Sequence, residues 1–241
     1  MKKHIPNTLT LLNALMGFVA INAIWVDSGT VLVLALVAAA LMDSMDGNLA
    51  RRFGVAGPLG VQLDSLSDLI SFGVVPGLMF SKLLEQFVGL EFWLAVILGG
   101  TVTMAAVMRL ATYNVATDQK TTFKGMPTPG NTLFVLGIYQ YLTSWKGFEM
   151  WQNASETLQL LIQVGIVLAL LVSALWQNAK FEMIGTKSSD LKGYNIAVGI
   201  IVIIFLALVP FVRPLALSIV VLLLPIVSSI LISYNKNEIH S

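Results

Sequence analysis

The chain has 241 residues, 56% of them hydrophobic and 11% charged, whereas about a quarter of residues are charged in an ordinary soluble domain, so a typical soluble fold is excluded. A net charge of +1 gives no general attraction to nucleic acid, and no nucleic-acid partner is expected. Cysteine is absent, which excludes disulfides and thiolate sites, and the two histidines, His4 and His240, lie too near the ends for a histidine-built zinc or iron centre.

Apolar segments bounded by charges, glycine or proline fall at 8–26, 30–52, 62–88, 91–116, 130–146, 156–178, 193–212 and 214–233. Each is near the roughly 20 residues that cross a bilayer core. The first lacks a small-x-small cleavage pattern and is read as a helix rather than a removed leader. The fifth is the shortest and most polar, so six or seven spans is the alternative count. Lipid cannot satisfy backbone polar groups, so the segments are expected to be helices. The reading is an all-α integral membrane protein: one polytopic helical bundle of about 8 spans over residues 1–241. Gly17, Gly73, Gly77, Gly99 and Gly100 are candidates for close helix approach, and Trp25, Trp93, Trp145, Trp151 and Trp176 for interfacial anchors.

Lysine and arginine set the expected orientation. One set of span ends carries Lys2, Lys3, Arg51, Arg52, Arg109, Lys120, Lys124, Lys180, Lys187, Lys192 and Lys236; the other carries Lys82, Lys146 and Arg213. The positive-inside rule then puts both termini and the loops after spans two, four and six on the cytoplasmic side, with the plasma (inner) membrane as the expected location.

Four acids interrupt the apolar pattern: Asp43 and Asp46 at the end of span two, Asp64 and Asp68 at the start of span three. Carboxylates grouped at a membrane face need compensating positive charge or water. Oxygen-only ligands point to magnesium, manganese or calcium rather than zinc. Asp43 and Asp46 are three residues apart, about 60° around a helix. Gly60, Asp64 and Asp68 step by four and share a stripe, with Ser67 and Ser71 beside it. Two helices joined by FGVAGPL would face each other across one or two cations, and Gly47, Ala50 and Gly60 would leave room for a bulky ligand. Paired cations on carboxylates suit phosphoryl chemistry, a remaining carboxylate can take a proton from a hydroxyl, and Arg51 can pair with a phosphate. An acid relay in an ion- or proton-coupled transporter is the reading from another class.

The pattern Asp43-x2-Asp46-Gly47-x2-Ala50-Arg51-x8-Gly60-x3-Asp64-x3-Asp68 resembles the signature of the CDP-alcohol phosphotransferases. The resemblance implies a six-helix catalytic core over 1–178, two additional helices over 179–241, two Mg2+ or Mn2+ ions and a homodimer. It implies that Asp43, Asp46, Asp64 and Asp68 hold metal, that Asp43, Asp46, Gly47, Ala50, Arg51, Gly60 and Asp64 bind the CDP group, and that Asp68 is also the general base. The opening IPNTLTLLNALMGFVAI, the segment Met108–Val115 and the loop FKGMPTP resemble the membrane-bound (type II) phosphatidylserine synthase branch, although Thr112 and Tyr113 replace its usual Arg and Phe. That branch implies CDP-diacylglycerol and L-serine as substrates. Arg109 is the first candidate for the serine carboxylate, or else a phosphate-binding arginine; Lys124, Asn114 and Thr128 are further candidates around serine. A sister transferase acting on glycerol 3-phosphate or inositol phosphate is the nearest rival. On span one, Thr10, Asn13 and Gly17 form a polar stripe, with Asn13 read as a helix link or a ligand contact.

Overall fold

The structure, a computed structural model, describes residues 4–115, 122–184 and 214–239. The helices are α1 (Ile5–Trp25), α2 (Gly29–Arg52), α3 (Pro58–Val88), α4 (Phe92–Val115), α5 (Thr128–Thr143), α6 (Trp145–Gln152), α7 (Glu156–Trp176) and α8 (Leu215–Ile239). Every expected span coincides with one of them except 193–212, which lies outside the described residues. Among the described helices α1, α2, α3, α4 and α7 are long and apolar enough to cross a membrane, whereas α5 has 16 residues. The chain is a polytopic helical membrane protein.

On α1 and α2 small residues make up much of the inward face. On α1 the buried stripe is Thr10, Asn13, Gly17, Ala20 and Ala23, while Leu11, Leu15 and Phe18 are exposed. On α2, Ala35 and Ala39 are buried while Leu34, Val37 and Leu41 are exposed. Hydrocarbon solvates the outer leucines as well as a protein core would, so helix contacts are won by small side chains that let backbones approach.

The centre of the bundle is α3, which supplies the fully buried Phe72, Met79, Phe80, Leu83 and Phe87. It is not a uniform helix. A π-helical turn, Leu69–Val74, begins directly after Asp68, and a second, Leu84–Val88, ends the element. Pro76 explains the first, since it has no N–H to offer the Phe72 carbonyl and its ring crowds that oxygen. The Thr132 hydroxyl of α5 approaches the same carbonyl at 3.1 Å, sharing its proton with the Thr128 carbonyl at 2.9 Å.

At the α3–α4 crossing, Gly77 and Gly99 face each other. A Cβ on Gly99 would lie 2.8 Å from the Ser81 backbone nitrogen, inside van der Waals contact. Gly99→Ala is therefore expected to cost about 1–3 kcal/mol, the usual range for overpacking, read as a lower thermal unfolding midpoint in detergent. Gly17 and Gly73 also sit at helix contacts, whereas Gly100 meets nothing within 4 Å and is not a packing glycine.

The connections carry two departures from the sequence reading. Thr122–Lys124 (β1) pairs antiparallel with Glu182–Ile184 (β2), so the loop after α4 and the loop after α7 form a short ribbon on an otherwise helical protein. Trp176 is no interfacial anchor: it is buried, and its indole N–H donates to Asn131 Oδ1 at 2.7 Å, where Ser173 Oγ also donates at 2.8 Å. Trp25, Trp93 and Trp145 are exposed near helix ends, as anchors are. At the end of α3 away from the acids, Lys82 pairs with Asp27 and donates to the Ile24 carbonyl at 2.9 Å.

Candidate active site

Two helix ends build the site. The last turns of α2 carry Asp43, Asp46, Gly47, Ala50 and Arg51; the first turns of α3 carry Gly60, Asp64 and Asp68. Gly54, with φ +63°, lies in the bend between them, and Pro58 opens α3 at a position whose N–H has no helical partner anyway. Asp43, Asp64 and Asp68 each offer a carboxylate oxygen, and these oxygens all lie within 4.8 Å of one another. Three half-buried carboxylates this close repel strongly unless a cation lies among them. The donor set is oxygen only, and a hard divalent ion such as Mg2+ or Mn2+ suits it.

Asp46 does not join this trio. It is buried, and its Oδ2 accepts from the Thr10 hydroxyl of α1 at 2.6 Å. Asp68 accepts at Oδ1 from Asn13 Nδ2 at 3.1 Å. Arg51 is exposed and folds back along its own helix: Nη2 donates to Asn48 Oδ1 at 2.9 Å, and the guanidinium lies over Gly47. The space above Gly47 is thus taken by this guanidinium, whose nearest nitrogen lies 3.5 Å from where a Cβ would stand. Around Gly60 a Cβ would meet only Asn7 Oδ1, at 3.9 Å, so that wall of the site is open. Ala50 is half-buried between the two glycines in the chain.

The acceptor candidates separate. Arg109 of α4 is half-buried, lies within electrostatic reach of Asp68, and keeps a buried Nε without a hydrogen-bond partner. Asn114 is engaged with Ser65, the neighbour of Asp64, its Nδ2 donating to Ser65 Oγ at 2.9 Å. Thr128 is buried at the start of α5. Lys124 belongs to β1, and its side chain lies outside the described residues. The contribution of Thr10 to Asp46 was not legible in spacing within α2 and α3; its only sequence signal is the polar stripe on α1.

An apolar groove of about 260 Å3 runs between α2 and α5, lined by Leu36, Val37, Leu41, Phe72 and Leu133. It reaches Ser44, the residue after Asp43. A larger cavity of about 680 Å3, lined by Asp27, Lys82, Glu85 and Tyr139, lies at the opposite end of α3 and shares none of the acids.

The sequence model for CDP-alcohol phosphatidyltransferases matches residues 3–171, which takes in α1 to most of α7 and all four acids. The chain belongs to this family. Among similar proteins, a CDP-diacylglycerol–serine O-phosphatidyltransferase of Mycobacterium tuberculosis is 32% identical over 143 residues, 56% of this chain and 48% of that protein. Proteins of the same description from Bacillus subtilis and Helicobacter pylori are 30% identical over 140 residues (56% of this chain, 76% of the relative) and 28% identical over 221 residues (89% and 84%). The chain spans about half the length of its mycobacterial relatives, 48% for the one named.

Proposed function

We propose that this chain transfers the phosphatidyl group of CDP-diacylglycerol to the hydroxyl of L-serine, giving phosphatidylserine and CMP. The observation that carries the reading is the convergence of Asp43, Asp64 and Asp68 from two helix ends, within the family signature. The serine acceptor is supported by the descriptions of the relatives from three bacteria. A relay of acids through a transporter needs carboxylates at several depths, whereas these three share one place.

In this reading the open space beside Gly60, and the face of Gly47 uncovered when Arg51 swings from Asn48 to a phosphate oxygen, receive the nucleotide diphosphate, with Ala50 beside them. Asp43, Asp46, Asp64 and Asp68 would hold two divalent cations, which would supply positive charge against the diphosphate and the leaving CMP. The apolar groove beside Ser44 gives acyl chains a lateral way in. Asp68 accepts the proton of the serine hydroxyl as its oxygen bonds to the β-phosphorus and the bond from that phosphorus to the bridging oxygen breaks. Arg109 holds the serine carboxylate, which supplies the partner its buried Nε lacks. Asn114 and Thr128 shape the same pocket, and Lys124 is a further candidate for contact with serine.

The match at residues 3–171 supports a six-span catalytic core to about residue 178, with two additional spans over 179–241 and a homodimer as the proposed assembly. The distribution of lysine and arginine supports an orientation with the acids and both termini on the cytoplasmic side, and the plasma (inner) membrane is the location proposed.

Purified protein with CDP-diacylglycerol and Mn2+, offered serine, glycerol 3-phosphate or inositol phosphate in turn, is expected to release CMP with serine alone. Release only with a phosphorylated acceptor would overturn the serine assignment. In the same assay Arg109→Ala should raise the KM for serine about 10–100-fold, the worth of one lost charge-assisted contact, and shift kcat less. An unchanged KM removes the clamp.

A further inference from the structure

Thr10 and Asn13 stand outside the family signature, yet each touches one of its acids. Both lie on α1 and both are buried. Thr10 Oγ1 donates to Asp46 Oδ2 at 2.6 Å, and Asn13 Nδ2 donates to Asp68 Oδ1 at 3.1 Å. A helix with no acid of its own thus reaches one acid on each of the two helices that have them. The Thr10 hydroxyl carries one proton and also lies 3.0 Å from the Pro6 carbonyl; the carboxylate is closer and is the stronger acceptor.

The same stretch of α1 is fixed against α3. Ser71 Oγ donates to the Asn13 carbonyl at 2.9 Å, and a Cβ on Gly17 would lie 2.9 Å from Ser71 Cα. The donors are therefore held by backbone contact, not by flexible side chains reaching from the surface.

Asn13 carries a cost of its own. Its Oδ1 is buried with no partner, a state that costs about 1–3 kcal/mol and that a leucine would avoid. What the amide contributes is direction. A carboxylate rotates about its last bond, and a donor fixed to one oxygen selects how the group faces its surroundings.

We propose that Thr10 and Asn13 are positioning residues, and that α1 is a splint setting the orientation of the Asp46 and Asp68 carboxylates toward the divalent-cation site. The inference rests on the metal reading given above. It separates α1 from a merely packed helix, because it ties two particular side chains to cation affinity and not to fold stability.

The test is the affinity for Mn2+ alone, read from loss of the free-ion electron paramagnetic resonance signal on adding purified full-length protein. Thr10→Val keeps the shape and removes the donor; it is expected to raise the Kd for Mn2+ about tenfold or more, the usual effect of losing an outer partner of a metal ligand. Thr10→Ser keeps the hydroxyl and is expected to restore the affinity. Asn13→Leu should weaken Mn2+ binding likewise. Thr10→Val and Asn13→Leu proteins that bind Mn2+ as tightly as the parent would overturn the splint and leave the transferase reading standing. A parent protein that leaves the Mn2+ signal untouched would overturn the metal reading and the splint with it.

Discussion

Asp68→Asn is expected to lower kcat for CMP release with serine by about 10²–10⁴-fold, the range for loss of a positioned general base. The substitution keeps the size of the side chain and leaves an amide oxygen able to accept from Asn13 Nδ2, which now donates to Asp68 Oδ1 at 3.1 Å. Local packing is thus preserved and the change isolates chemistry. The amide cannot take a proton from an attacking hydroxyl. It can still offer one oxygen to a cation, so Mn2+ affinity should fall by less than turnover does. An Asp68→Asn protein that turns over at the parent rate would remove Asp68 from the proton-transfer step.

Asp64→Asn should act in opposite directions on stability and on function. Without metal, Asp43, Asp64 and Asp68 hold carboxylate oxygens within 4.8 Å of one another. Removing one charge relieves repulsion of about 3.5 kcal/mol per ionised neighbour at an effective dielectric of about 20, so the metal-free variant should unfold at a higher temperature than the parent. The parent should gain from Mn2+ what mass action prescribes, about 2.7 kcal/mol at a hundredfold excess over Kd. The variant should lose most of that gain and most of its turnover. Calorimetry or dye-based melting with and without Mn2+ reads both signs. A variant that is less stable without metal and still responds fully to Mn2+ would mean that the acids are a structural cluster.

The two predictions depend on features of unequal visibility in the sequence. The helices and the acid pair on each side of the FGVAGPL connection were plain, because a bilayer sets span length and a helix sets the spacing of Asp64 and Asp68. The partners of the acids were not. Thr10 is 36 residues from Asp46 and Asn13 is 55 from Asp68, and no periodicity links residues that far apart. Asp46 was expected to stand with the other three acids, since 60° of helix separates it from Asp43. Its carboxylate also accepts from a hydroxyl on a third helix, which spacing within α2 does not reveal. A periodic reading also assumes a straight helix, and the π turn forced by Pro76 breaks that assumption directly after Asp68. Trp176 misled for a related reason. Its place near a span end suits an interfacial ring, but Asn131 of α5 offers its indole N–H a buried acceptor.

The pair formed by Lys82 and Asp27 bears on how the chain enters the bilayer. In the proposed orientation, Lys82 must cross to the face that membrane insertion keeps poor in positive charge. Asp27 sits in the turn between α1 and α2, earlier in the chain, with the left-handed φ of 53° that aspartate tolerates better than most residues. During synthesis from the N-terminus this turn emerges before α3, so a counter-charge already waits where the ammonium arrives. An Asp27→Asn chain would have to translocate a bare cation, and its penalty would fall on biogenesis, in the yield of correctly threaded protein.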